Sequence, residues 1–237
     1  MSQLNIIALI PARSGSKGII DKNIKLYKGI PLLAHSIKIA KECSYISDIY
    51  LSTDSEEYQK IGLKYGSSVT HLRPKTISDD LSPDIDCFNH LLGWMKENSM
   101  VIPDIIVHLR PTYPNRSIDL LNNCIETFLK NCNNYDSLRT VIPFKKTPYK
   151  MYYIDENNNL TPYIKTHKLF KEPYNQARQN FPDTYIHNGC IDIVNTNVII
   201  KNNELSGNKI LPFIMEEDDN NDIDDLDDFL NSEKKCI

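Results

Sequence analysis

Long apolar runs are missing from this chain of 237 residues. No stretch reaches the length of about 18 apolar residues that a membrane-crossing helix needs, so no membrane association is expected. The N-terminus has no basic segment followed by a cleavable apolar stretch, which points away from secretion. The six cysteines, Cys43, Cys87, Cys124, Cys132, Cys190 and Cys236, are scattered, and none forms C-x-x-C. Neither a disulfide framework nor a zinc site is expected, and a cytoplasmic, reducing setting is the simplest. Two nucleotide signatures are also missing, the Walker loop G-x-x-x-x-G-K-[ST] and the dinucleotide loop G-x-G-x-x-G. No internal repeat or low-complexity linker is present.

The net charge of −4 is unevenly spread: residues 216–228 carry nine acids and no base. Without that segment, 22 acids face 27 bases, a net charge of +5. A mildly cationic body with one acidic segment suits a small polyanionic ligand and a metal site. General nucleic-acid binding calls for a much more basic domain, so no nucleic-acid partner is expected. The length suits one α/β domain over residues 1–237, with enough chain to bury a core.

Residues 8–25, ALIPARSGSKGIIDKNIK, organise the rest. The apolar run from Leu4 to Ile10 fits a buried parallel strand. A short cationic loop follows, with Arg13, Gly15, Lys17, Gly18, Lys22 and Asn23. Open α/β sheets place ligands at the carboxyl ends of their strands. Glycines let backbone N–H groups approach a phosphate, and Arg and Lys add charge. The loop reads either as a nucleoside triphosphate site or as a solvated strand-to-helix turn.

Helical spacing and caps predict helices over residues 31–43, 56–65, 83–97 and 117–132. Strands are expected over 46–52, 69–72, 104–109 and 138–143. Alternating strands and helices predict a doubly wound, mostly parallel, Rossmann-like sheet with right-handed crossovers. The pattern breaks over 145–182, an excursion that contains a hairpin across Glu156-Asn157-Asn158-Asn159. So long an irregular stretch reads as a lid, a binding loop or a swapped dimer arm. Strand character resumes over 185–194 and 209–215, and a short helix is expected over 224–233.

Cationic and polar residues recur after the expected strands: Arg13, Lys17, Lys22 and Asn23, then Ser52-Thr53-Asp54, Arg73, and Arg110 with Arg116. In a parallel sheet these loops share one edge. Asp222-Ile223-Asp224 places two carboxylates on one face of an extended segment, where they can share a hard cation such as Mg2+. The alternative is a solvated acidic run. His187 is either a general base or a structural histidine. Lys150 either snorkels over the surface or reaches into the site.

Ala12-Arg13-Ser14-Gly15-Ser16-Lys17-Gly18 followed by Lys22-Asn23 resembles the signature of the acylneuraminate cytidylyltransferases. Ser52-Thr53-Asp54, Leu72-Arg73-Pro74, Ser78-Asp79, Arg110-Pro111-Thr112, Asn188-Gly189 and Asp222-Ile223-Asp224 follow in the family's order. The resemblance implies a CTP-dependent nucleotidyltransferase fold and a transfer of CMP to the anomeric hydroxyl of a nonulosonic acid. It implies that Arg13, Lys17 and Lys22 hold the triphosphate. Ala12, Ser14, Gly15, Asn23, Arg73, Ser82 and Asp84 lie on the nucleotide side, and Asp222 and Asp224 carry Mg2+. Lys150 and Arg178 would approach the acid or the phosphates, Arg110, His187 and Asn188 would line the acid side, and the excursion would make a homodimer. Ile20, Arg110 and the Tyr185-Ile186-His187 run depart from the family's pattern, which bears on the identity of the acid. The alternatives are a related transferase for another sugar, such as KDO, and a non-catalytic nucleotide-sugar-binding protein.

Overall fold

The first apolar run forms β1 (Ile6–Pro11), buried up to a half-buried Pro11. The computed structural model describes residues 4–16, 18–68, 72–216 and 222–234. After β1 come β2 (Leu26–Tyr27), β3 (Ile30–Pro31), α1 (Leu32–Glu42), β4 (Asp48–Ser52), α2 (Glu56–Tyr65), α3 (Asp84–Glu97) and β5 (Ile105–His108). The chain continues through α4 (Ile118–Asn131), β6 (Ser137–Phe144), β7 (Tyr152–Ile154), β8 (Leu160–Pro162), β9 (Thr184–Asn195), α5 (Thr196–Asn202), β10 (Ile210–Ile214) and α6 (Leu226–Lys234).

Six strands form one sheet in the order β10-β6-β9-β5-β1-β4. β1 pairs in parallel with β4 and β5, as a strand buried on both faces should. β9 runs antiparallel to β5, with His108 opposite Asp192. This is where the sheet departs from a wholly parallel one. A helical crossover returns the chain parallel, whereas β9 is entered from the excursion without such a helix. The strand expected over 69–72 falls on residues outside those described, except Leu72, which makes a parallel bridge with Thr53.

Side chains alternate across β1. Ile7 and Leu9 join one buried cluster with Cys87, Phe88, Leu91 and Met95 of α3 and Val198 and Ile199 of α5. Helix α1 packs against β1, β4 and α2. Local signals fix the helix ends. The Ser55 hydroxyl accepts the Tyr58 N–H at the start of α2, and Gly66, at φ 108°, closes it in the left-handed region. The Ser117 hydroxyl caps α4 by accepting the Leu120 N–H.

Two compact units divide the chain: Met1–Thr140 with Gly189–Phe213 and Asn221–Ile237, and Val141–Asn188 with Ile214–Asn220. Inside the second unit, β7 and β8 form the expected hairpin, narrower than the pattern suggested. The Asp155 carboxylate closes its turn by accepting the Asn157 and Asn159 N–H groups. The irregular stretch after it is held by aromatic contacts: Tyr149 stacks on Phe181 at 4.4 Å and His167 on Phe170 at 5.0 Å.

Two elements were not expected. The β2–β3 hairpin turns through Lys28 and Gly29, both at positive φ, on strands too short to show a period. Helix α5 hides in the β-branched run after β9, and its one local signal is Asn195, whose side chain accepts the Asn197 N–H. Cys43, Cys87, Cys124, Cys132 and Cys190 are free thiols, while Cys236 lies outside the described residues. Among the described residues, no helix is long and apolar enough to cross a membrane.

Leu9 is fully buried on β1, in the cluster that α3 and α5 cover. Leu9→Ala is expected to lower unfolding stability by about 2–5 kcal/mol, read from urea denaturation.

Candidate active site

The loop after β1 wraps onto the ends of neighbouring strands. Ala12 donates its N–H to the Ser52 carbonyl at 2.9 Å and is itself buried. The Ser14 N–H and hydroxyl both donate to the Asp54 carboxylate at 2.8 Å. Burial pushes the Asp54 carboxyl up, but these two donors, with Arg73 nearby, outweigh it and hold the carboxyl below its ordinary value. Gly15 sits at φ 71° with open space where a side chain would go. Buried Asn23 donates to the Arg13 carbonyl at 3.0 Å, which fixes the backbone from which the Arg13 side chain extends.

A cavity of about 210 Å³ opens at this edge, lined by Arg13, Ser16, Lys22, Asn23, Arg73, Asp79, Ser82, Asp84, Cys87, Arg110 and Thr112, among others. Thus Arg13, Lys22, Asn23, Arg73, Ser82, Asp84 and Arg110 of the expected site converge on one space. Lys17 lies outside the described residues. Lys150, Arg178, His187 and Asn188 belong to the second unit. There Arg178 lines a separate cavity of about 250 Å³ with Lys145, Asp183, Thr184 and Tyr185. Asn188 is buried and donates to the Met215 sulfur at 3.2 Å, whereas Lys150 and His187 are exposed.

The acidic segment enters the same edge. Ile223 is fully buried with Ile19, Tyr27, Leu32 and Phe229. Its N–H donates to the Thr112 carbonyl at 2.9 Å, and its carbonyl accepts from Lys22 Nζ at 2.8 Å. A side chain at Gly18 would press on the Asp224 carbonyl at 3.1 Å, so glycine there permits the close approach. Asp222 Oδ1 is buried with no hydrogen-bond partner among the described residues. Burial, and then Asp224, push the Asp222 carboxyl up against the opposing pull of a Thr112 hydrogen bond, Lys22 and Arg110. Among the described residues no group of three or more His, Cys, Asp or Glu is placed to hold a metal ion. Asp222 and Asp224 flank the buried Ile223 at this edge. An orphaned, buried carboxylate oxygen beside a second aspartate fits a hard cation that completes its shell with phosphate oxygens and water.

Arg110 is already engaged. Nη1 donates to Asp192 at 2.7 Å and Nη2 to Asp84 at 2.9 Å. Burial works against its charge, and Asp192 and Asp84 outweigh that. Gly189 stands at φ 68°, in the left-handed region that favours glycine, within van der Waals range of Arg110 Cδ and Asp222 Oδ2. Arg116 is not a pocket cation. It is buried, and it donates to the carbonyls of Cys190 and Arg110 and to the Ser36 hydroxyl. Arg73 is also buried, donating from Nε to Ser78 Oγ at 3.0 Å and from Nη1 to Cys87 Sγ.

Asp80, His108 and Asp192 escape a reading of the sequence. Asp80 pairs with the cavity-lining Arg13. Asp192 meets Arg110 only because β9 pairs with β5, a pairing of distant segments. His108 is buried against the edge of Phe88, at 5.2 Å between ring centroids, and 3.8 Å from Asp192. Burial, with help from Arg110, holds its pKa far below the ordinary histidine range despite Asp84 and Asp192.

The folded chain therefore refuses a proton at His108 that the unfolded chain accepts. The stability from its neutral burial is complete above the unfolded pKa of about 6.5 and is lost as pH falls below it. Urea midpoints for the wild type are expected to drop between pH 7 and pH 5, by a margin that His108→Leu reduces. An equal drop in both proteins would contradict the burial argument.

The cytidylyltransferase family model matches residues 7–188. The chain is 32% identical over 226 residues to post-translational flagellin modification protein B of Campylobacter coli, covering 94% of this chain and 92% of that one. It is 30% identical over 232 residues to CMP-N,N'-diacetyllegionaminic acid synthase of Legionella pneumophila subsp. pneumophila, covering 98% and 96%. The structure of CMP:2-keto-3-deoxy-manno-octonic acid synthetase complexed with CTP aligns over 97% of both chains with a TM-score of 0.68 at 14% identity, a likeness of fold. The family that the loop signature implies is thus the one found by comparison, and this chain belongs to the cytidylyltransferase family.

Proposed function

We propose that this enzyme transfers CMP from CTP to the anomeric hydroxyl of a nonulosonic acid and releases pyrophosphate. The observation that carries this reading is the convergence, at the carboxyl end of β1, of Arg13, Lys22, Asn23 and Arg73 with the Asp222-Ile223-Asp224 segment. The relative named as CMP-N,N'-diacetyllegionaminic acid synthase supports the acceptor class. The likeness to the 2-keto-3-deoxy-manno-octonic acid enzyme is one of fold and does not favour that acceptor.

In this reaction the anomeric hydroxyl oxygen bonds to the α-phosphorus of CTP and loses its proton. The bond from the α-phosphorus to the bridging oxygen breaks, and the electron pair leaves with pyrophosphate. Charge therefore grows on the leaving group, and donors aimed at it lower the barrier. Arg13 and Lys22 would hold the triphosphate, with Ala12, Ser14 and Gly15 shaping the loop. Asn23 keeps Arg13 in place, and Arg73, Ser82 and Asp84 line the nucleotide side. Asp222 and Asp224 would hold Mg2+, which when bound neutralises triphosphate oxygens. Arg110 would meet the carboxylate of the acid. Lys150, Arg178, His187 and Asn188 are assigned to the acid side by the sequence resemblance.

The second unit is proposed as a dimer arm, its partner a second copy of this chain. Ile154, Leu160, Tyr163 and Leu169 are 66–79% exposed there, apolar side chains that a second copy could cover. Sedimentation velocity is expected to give a dimer for the full chain, and charged replacements at Leu160 and Leu169 are expected to shift it to monomer. A monomeric wild type at micromolar concentration would rule the arm out.

Incubation with CTP, Mg2+ and a panel of nonulosonic acids is expected to release pyrophosphate with at least one acid. CTP binding without release on any of these acids, or on KDO included in the same panel, would leave only the binding-protein reading. Arg13→Ala is expected to lower kcat/KM by about a hundredfold or more, near 3 kcal/mol of transition-state stabilisation. Asp224→Asn is expected to lose turnover far more than CTP affinity, and unchanged turnover would remove the metal role.

A further inference from the structure

Two kinds of arginine stand at this edge of the sheet. Arg73 and Arg116 are buried, and they donate hydrogen bonds to neutral acceptors: hydroxyls, a thiol sulfur and backbone carbonyls. Arg13 and Arg110 face the cavity, with side chains 32% and 22% exposed, and each is paired with a carboxylate. Both carboxylates come from one short segment, residues 78–84. Asp80 takes Arg13 and Asp84 takes Arg110.

The segment is built to present them. Asp79, the neighbour of Asp80, uses its carboxylate inside the turn, where it accepts the Leu81 N–H at 2.8 Å and the Ser82 hydroxyl at 3.0 Å. Asp84 is the first residue of α3. The two arginines leave neighbouring strands, since β1 and β5 pair with Leu9 opposite His108. One strap thus reaches both cations.

The partners of Arg110 are unequal. The Asp192 side chain is 12% exposed and lies beneath the guanidinium, whereas that of Asp84 is 45% exposed at the cavity. Asp80 is likewise open, at 28%. An exposed pair is weak and easily exchanged, while a buried one is not.

We propose that Asp80 and Asp84 are resident counter-anions that hold Arg13 and Arg110 until the substrates' own anions displace them. The triphosphate takes the place of Asp80 at Arg13, and the carboxylate of the sugar acid takes the place of Asp84 at Arg110, while Asp192 keeps its grip throughout. This rests on the reading of Arg13 and Arg110 as the anion-binding groups of the transferase. Each displaced aspartate lowers the affinity of the ligand that moves it. It also raises selectivity, because a neutral analogue offers nothing to replace the carboxylate.

Calorimetric titration of CTP into the full chain tests the first exchange. Asp80→Asn and Asp80→Ala are expected to lower the Kd for CTP about two- to fivefold, the scale of an exposed ion pair. For the acid that the panel selects, Asp84→Asn is expected to lower KM by a similar factor and Asp192→Asn to raise it. Equal or weaker CTP binding in both Asp80 variants overturns the proposal for Asp80. An unchanged or raised KM for the acid in Asp84→Asn overturns it for Asp84. A wild type that binds no CTP defeats the transferase reading itself, a result distinct from either.

Discussion

Everything at the pocket depends on the burial of Ile223. It sits 0% exposed among Ile19, Tyr27, Leu32 and Phe229, worth about 2–3 kcal/mol in apolar burial. With Ile223 pointing inward, its two neighbours in an extended segment must point the other way. The isoleucine thus aims Asp222 and Asp224 together. The backbone of the same residue is tied at both ends, by the Thr112 carbonyl and by Lys22 Nζ. A lysine of the first loop and an acid pair some 200 positions later become one rigid edge. Helix α6 extends the anchor: Phe229 packs edge-on against Tyr27, whose hydroxyl meets Ser232 Oγ at 2.8 Å.

Charge at this edge is arranged by depth. Deep arginines, Arg73 and Arg116, brace the strand ends through neutral acceptors and contribute geometry. Shallow ones, Arg13 and Arg110, line the cavity and are paired with the exposed carboxylates of Asp80 and Asp84. Buried Asp192 and neutral His108 lie behind Arg110 and keep it aimed. Arg13 and Arg110, the two guanidiniums that line the cavity, each meet a carboxylate in the absence of ligand.

Much of this was legible in the sequence. The cap-and-stop chemistry of Ser55, Gly66 and Ser117 marks its helices, and the apolar run of β1 marks a buried strand paired on both sides. Cations after successive strands marked the pocket edge, because parallel strands deliver their ends to one side. The chemistry of pairing was hidden. That Arg110 rests on Asp192 follows from β9 lying antiparallel beside β5, and no local pattern reports which distant strands pair. Arg116 looked like a pocket cation from its place after a strand, but burial turned it into a brace. Asp84 was expected on the nucleotide side and Asp80 was not singled out; neither pairing was legible, since the arginines they face lie 26 and 67 positions away.

Crystals grown with CTP and Mn2+ test the central claim most directly, that the first loop and the acid pair form one nucleotidyl-transfer centre. Anomalous scattering at the manganese edge should place the ion against Asp222 and Asp224, with triphosphate oxygens completing its shell and Arg13 and Lys22 on the same phosphates. A manganese peak away from both aspartates, or a triphosphate that leaves Arg13 and Lys22 untouched, would contradict it.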